Sequence, residues 1–153
     1  MKKFVFTMQK MRDYKKQILE SEKNKLMGLI REKNELEEKM EQLEMIMDNL
    51  RHASNEAVVK GTTASELMFY SMQMDGVKRD QVQTRYQINF ADMKIDNQRR
   101  RVVKQSQELS GLDKLEEQQR EEYRRLEAKE NEMIIEEFLS FKLSAGSGYS
   151  DSL

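Results

Sequence analysis

The sequence predicts an all-α protein, two long helices forming an antiparallel coiled-coil hairpin with a flexible C-terminal tail. Three observations carry this. The 153 residues contain no Pro, and 36% are charged, with 27 basic and 28 acidic side chains almost cancelling. Apolar residues make up 37%, and the mean hydropathy is -0.89, too low for a spherical core and suited to helices that bury a seam. One break, Gly61-Thr62-Thr63, interrupts an otherwise continuous helical pattern.

The first helix is expected over about residues 4–58. Its stripe is regular from Leu36 through Met40, Leu43 and Met47 to Leu50, and broader towards Phe4, Met8, Met11 and Ile18. The turn falls at about 59–64, where Gly61 ends one helix and Thr62, Thr63 or Ser65 caps the next, without a full Ser65-x-x-Met68 capping box. The second helix is expected over about 65–142. Steps of three and four from Leu67 reach Met133 through mostly apolar positions, the 3.5-residue period of a left-handed coiled coil. Gln81, Gln98, Gln105 and Gln119 interrupt that seam and serve register, while Gly111 is a point of looseness. Residues 1–143 thus form one hairpin domain, and the Ser- and Gly-rich residues 144–153 read as a disordered tail.

Charge favours pairing within one chain. Folded at Gly61, residue i faces roughly residue 122 minus i. Lys2, Lys3, Lys10, Arg12, Lys15 and Lys16 then meet Glu108, Asp113, Glu116, Glu117 and Glu121. The acidic run from Glu32 to Glu44 meets Lys78, Arg79 and Arg85. The hairpin is therefore preferred over a parallel homodimer, and the free chain is expected to be a monomer. The second helix should outrun the first from about Gln119, leaving Tyr123, Leu126, Met133, Ile134, Ile135 and Phe138 uncovered, as partner sites commonly are.

No catalytic or cofactor chemistry is visible. There is no Cys, and His52 is the one His, so no metal cluster is expected. No Gly-rich phosphate loop occurs, and a two-helix hairpin offers no pocket for desolvated carboxylates. Arg99, Arg100 and Arg101, with Lys94 and Lys104, point in different directions on a helix and read as a solvated stretch, so no nucleic acid is expected. No run approaches the ~18 apolar residues of a membrane span, and no apolar signal region follows Phe6. The expectation is a cytoplasmic, non-enzymatic protein that does not insert into the membrane. Twelve Met suit adaptable core filling or, around Met45, Met68 and Met72 with Phe69 and Tyr70, a re-packable partner surface.

The chain resembles the flagellar FliJ family. Lys2-Lys3-Phe4-Val5-Phe6-Thr7-Met8-Gln9-Lys10-Met11-Arg12-Asp13-Tyr14-Lys15 is similar to that family's opening segment, and Leu112-Asp113-Lys114-Leu115-Glu116-Glu117 through Tyr123 to its "L-x-K-L-x-E-x-x-x-x-E-Y" stretch. Glu136-Glu137-Phe138 stands where the family usually has an Asp-Glu pair. The resemblance implies a stalk like that of the rotary-ATPase gamma subunit. Such a stalk enters the ring of the flagellar export ATPase (FliI-type), contacts the export-gate protein (FlhA-type) and helps recycle export chaperones. It also implies a place at the cytoplasmic face of the cell membrane, at the flagellar base. Carried onto this chain, the candidate ATPase contacts are Arg12, Lys15, Leu115, Tyr123, Leu126 and Glu127. The candidate gate contacts are Leu43, Ile46, Leu50, Gln73 and Val77. The alternatives are a parallel homodimeric tether and the equivalent stalk of a virulence-type secretion ATPase.

Overall fold

A computed structural model describes residues 1–147 and contains two helices in hairpin packing, α1 (Gln9–Lys60) and α2 (Ala64–Ser147), with no strand among the described residues. Both helices contribute to two compact units, one of residues 18–104 and one that joins residues 1–17 to 105 onwards.

In the unit of residues 18–104, α1 and α2 turn about Gly61, whose φ of 88° is open to glycine at little cost. Thr63 is the N-cap of α2. Its hydroxyl accepts the Glu66 amide at 3.3 Å, while the Thr62 hydroxyl donates to the Glu66 carboxylate. Thr63-x-x-Glu66 has the spacing of a capping box, a signal that the Ser65 reading passed over. The seam is thin. Leu43 and Met47 of α1 are buried with Thr84, Ala91, Ile95 and Gln98 of α2, all four of the latter on the expected three-four stripe. Thr84, fully buried, donates its hydroxyl to the Asp80 carbonyl at 2.8 Å, so its polar atom is satisfied within α2. Gln98 donates across the pair to the Glu22 carbonyl at 2.9 Å and to the Glu22 carboxylate. Lys33 reaches Asp92 at 2.6 Å, which raises the lysine pKa through that bond against the opposing effect of desolvation. By contrast, Lys78, Arg79 and Arg85 form no ion pair with the acidic run among the described residues.

In the other unit, the N-terminal residues depart from expectation. The first helix begins at Gln9, not near residue 4. The Gln9 amide bonds the Phe6 carbonyl at 3.2 Å, and Phe6 is buried beneath the Arg12 guanidinium, 5.1 Å from its ring. An open chain advances up to about 3.3 Å per residue against 1.5 Å in a helix. Residues 1–8 therefore reach further along α2 than a helix would, bringing Phe4 to Tyr123 and the Met1 ammonium to Glu130 at 3.6 Å. Tyr123 is consequently half-buried rather than bare, and the uncovered stretch begins at Leu126. At the other end α2 continues to Ser147, so the first four residues expected in the tail are helical. The remaining six, 148–153, lie outside the described residues. α2 also runs unbroken through Gly111.

These backbone states predict opposite effects of two substitutions. Gly61→Ala meets no steric neighbour but forces a side chain into positive φ, and should lower stability by about 1 kcal/mol. Gly111→Ala, helical and in open space, should raise it by up to about 1 kcal/mol. Urea denaturation followed by circular dichroism checks both, and equal effects would contradict the assigned backbone states.

Candidate partner-binding surfaces

Glu116 is the hub of the unit that contains the N-terminus. Its carboxylate accepts from Arg12 and, at 3.0 Å, from Arg120. Arg12 also reaches Asp113 at 3.4 Å and the Gln9 side-chain carbonyl at 2.5 Å. One turn on, Lys15 pairs with Glu108 at 2.5 Å. The Arg12 hydrogen bond, more than that of Arg120, holds the Glu116 carboxyl below the usual range, and partial desolvation opposes it. Glu116 in turn raises the pKa of Arg12.

Aromatic contacts extend the cluster. The Phe4 ring lies edge-on to Tyr123, with centroids 5.7 Å apart, and under the Arg120 guanidinium at 4.6 Å. The Tyr123 hydroxyl donates to the Lys2 carbonyl. Phe4, Phe6, Glu116 and Arg120 were absent from the sequence-derived candidates. The available signal was the two-residue spacing of Phe4 and Phe6, which suits an open chain better than a helix.

The structure therefore divides the candidate ATPase contacts. Arg12 and Lys15 are engaged internally, Leu115 and Tyr123 are half-buried, and Leu126 and Glu127 are exposed. Beyond them Met133, Ile134, Ile135, Phe138, Leu139, Phe141 and Leu143 are each more than half exposed. Among the gate candidates, Leu43 is buried in the seam, Leu50 and Val77 are half-buried, and only Ile46 and Gln73 are exposed. None of the five lines the open cleft of about 580 Å³ between α1 and α2 in the unit of residues 18–104. Met40 and Glu44 face Lys78, Gln81, Arg85 and Tyr86 across it.

His52 is exposed and lies 3.5 Å from the Glu56 carboxylate. Among the described residues no group of three or more His, Cys, Asp or Glu could hold a metal ion, and no helix is long and apolar enough to cross a membrane.

A family model described as "Flagellar FliJ protein" matches residues 4–144. Comparisons with curated proteins and with solved structures returned no match.

The lowered Glu116 pKa fixes the sign of a pH effect. Its contribution is present above the ordinary glutamate value of 4.5 and is lost as pH falls through the lower folded value. Thermal unfolding should therefore show Glu116→Gln less stable than the parent near pH 7, with the gap narrowing as pH falls below 4.5. A gap independent of pH would contradict the ion-pair assignment.

Proposed function

The chain belongs to the FliJ family, whose members are flagellar export components, and from that premise we propose that it is a non-enzymatic stalk of the bacterial flagellar type III export apparatus. It enters the ring of a FliI-type ATPase, promotes ring assembly and turnover, and couples the ring to an FlhA-type gate, with a role in escorting export chaperones. It acts as a monomer in the cytoplasm, at the membrane face of the flagellar base. The observation that supports this reading is the bare apolar end of α2. From Leu126 to Leu143 seven large apolar side chains are at least half exposed beyond Leu126 itself, on a helix that remains regular without cover. Such a surface on a highly charged chain is suited to a partner.

The ATPase contact is assigned to Leu126 and Glu127 with the apolar residues after them. Arg12, Lys15, Leu115 and Tyr123 support it by clamping residues 1–17 to α2. The gate contact is assigned to Ile46 and Gln73, together with the cleft bordered by Met40, Lys78 and Arg85. Antiparallel pairing within each unit covers the seam from inside the chain, which weighs against a parallel homodimeric tether. The flagellar family match weighs against the virulence-type stalk.

Replacing apolar anchors with carboxylates tests the ATPase assignment. Leu126→Asp with Phe138→Asp should raise the concentration needed for half-maximal ATPase activation by about 30-fold, the scale of a lost interface anchor. Circular dichroism should remain helical. Full activation by that variant would overturn the assignment.

A further inference from the structure

The outward face of α2 in the unit of residues 18–104 breaks the rule for a two-helix coiled coil. Positions opposite the seam face water and are normally polar. Here Val82, Tyr86, Phe90 and Met93 occupy them, with relative exposures of 57, 72, 58 and 64%. Their steps of four, four and three residues make one row, about 16 Å long. At about 100° per residue that row is centred roughly 155° from the buried Thr84, Ala91, Ile95 and Gln98, on the outer side of α2, with Val82 and Tyr86 also bordering the cleft towards Met40 and Glu44.

Charge follows the same face. Residues 79–104 carry seven Lys or Arg against three Asp. Asp92 is tied to Lys33, and Asp96 to Arg99 at 3.9 Å. Arg79, Lys94, Arg100, Arg101 and Lys104 lie within about 80° of the apolar row, are exposed, and form no ion pair among the described residues. Lys94 bends over the Phe90 ring, 4.6 Å from its centroid. The outward face of α1 in this unit is mixed in charge, with Lys23 and Arg31 beside Glu20, Glu38 and Glu41. Arg100 and Arg101 of the basic triplet thus continue a coherent cationic and apolar face, while Arg99 lies outside it.

We propose that this face adsorbs to an anionic lipid bilayer, with Val82, Tyr86, Phe90 and Met93 at headgroup depth and the flanking cations on lipid phosphates. A basic helix face with aromatic and aliphatic side chains is the composition of an interfacial membrane surface, and four to eight clustered cations suffice for anionic lipids. Charge favours a bilayer over a third helix. A helix joining a coiled coil settles in the groove between two helices, which Val82 and Tyr86 border. Phe90, Met93 and the exposed Lys94, Arg100, Arg101 and Lys104 lie outside that groove and suit a broad anionic surface. Aliphatic Val82 and Met93 favour lipid over nucleic acid, whose bases stack on aromatic rings. The α1–α2 pair lies along the membrane surface in this arrangement and does not span it. The proposal does not depend on the stalk reading.

Sedimentation of the full chain with vesicles tests it without any ATPase present. Vesicles of three parts phosphatidylglycerol to seven parts phosphatidylcholine should bind the chain in a salt-sensitive manner, and pure phosphatidylcholine should not. Arg79→Gln with Lys94→Gln should weaken binding by about fivefold per cation. Tyr86→Ser with Phe90→Ser should weaken it by at least about tenfold, with circular dichroism of both variants unchanged. Absence of binding to the anionic vesicles, or equal binding by both variants and the parent, would overturn the proposal. So would loss of an acidic protein partner by these variants when the parent itself ignores the vesicles.

Discussion

Antiparallel register is the constraint on which the rest of this structure depends, and polar contacts rather than a large core define it. Few hydrophobic side chains are buried: Phe6, Leu43, Met47, Ala91 and Ile95. A seam that thin tolerates sliding, because one three-four stripe offers similar contacts after a shift of one heptad. Gln98 on Glu22 and Lys33 on Asp92 remove that freedom in the unit of residues 18–104. Arg12 on Glu116 and Lys15 on Glu108 do so in the unit that holds the N-terminus. Exposed pairs contribute only ~0.2–1 kcal/mol each. Their effect is selective: a slipped pairing would strand the buried Gln98 amide without its acceptors.

The same register determines which surfaces are left for partners. Residues 1–8 follow α2 only as far as Tyr123 and Glu130, so Leu126 stays half exposed and the apolar residues from Met133 onwards lie beyond that cover. In the unit of residues 18–104, pairing of the inner faces turns Tyr86 and Phe90 outward among unpaired cations. Charged coiled coils usually present a uniformly solvated exterior. This chain departs from that pattern at those two places, each assigned a partner of different chemistry, and also near the turn, where Met45, Met68, Phe69 and Met72 are exposed.

Much of the fold was legible because helical periodicity and Pro absence are strong signals over long windows. The pairs that cross from α1 to α2 have residue numbers adding to between 120 and 128, close to the 122 expected from folding at Gly61. Gln98 was legible as a register residue, and Gly61 as the break. The start of α1 was not, because Phe4, Met8 and Met11 also fit a helical stripe and only burial of Phe6 decides against it. The acidic run was placed beside Lys78, Arg79 and Arg85, yet makes no ion pair with them among the described residues. Long exposed side chains gain too little in water for proximity to imply contact. The candidate site was legible in part for a related reason. A cation such as Arg12 or Lys15 reads identically in sequence whether it faces a partner or its own second helix.

Register in solution is open to direct measurement, and the absence of Cys makes site-specific spin labelling clean. Asn34 and Asp96 are exposed and border the same groove between α1 and α2. Labels at Asn34→Cys and Asp96→Cys should give an intramolecular distance of roughly 10–25 Å, from helix axes about 8–10 Å apart plus the label arms. A chain labelled at Asn34→Cys alone should show no coupling between molecules. Strong coupling in that single variant, with no short distance in the double variant once it is diluted with unlabelled chain, would contradict the hairpin and establish a parallel dimer.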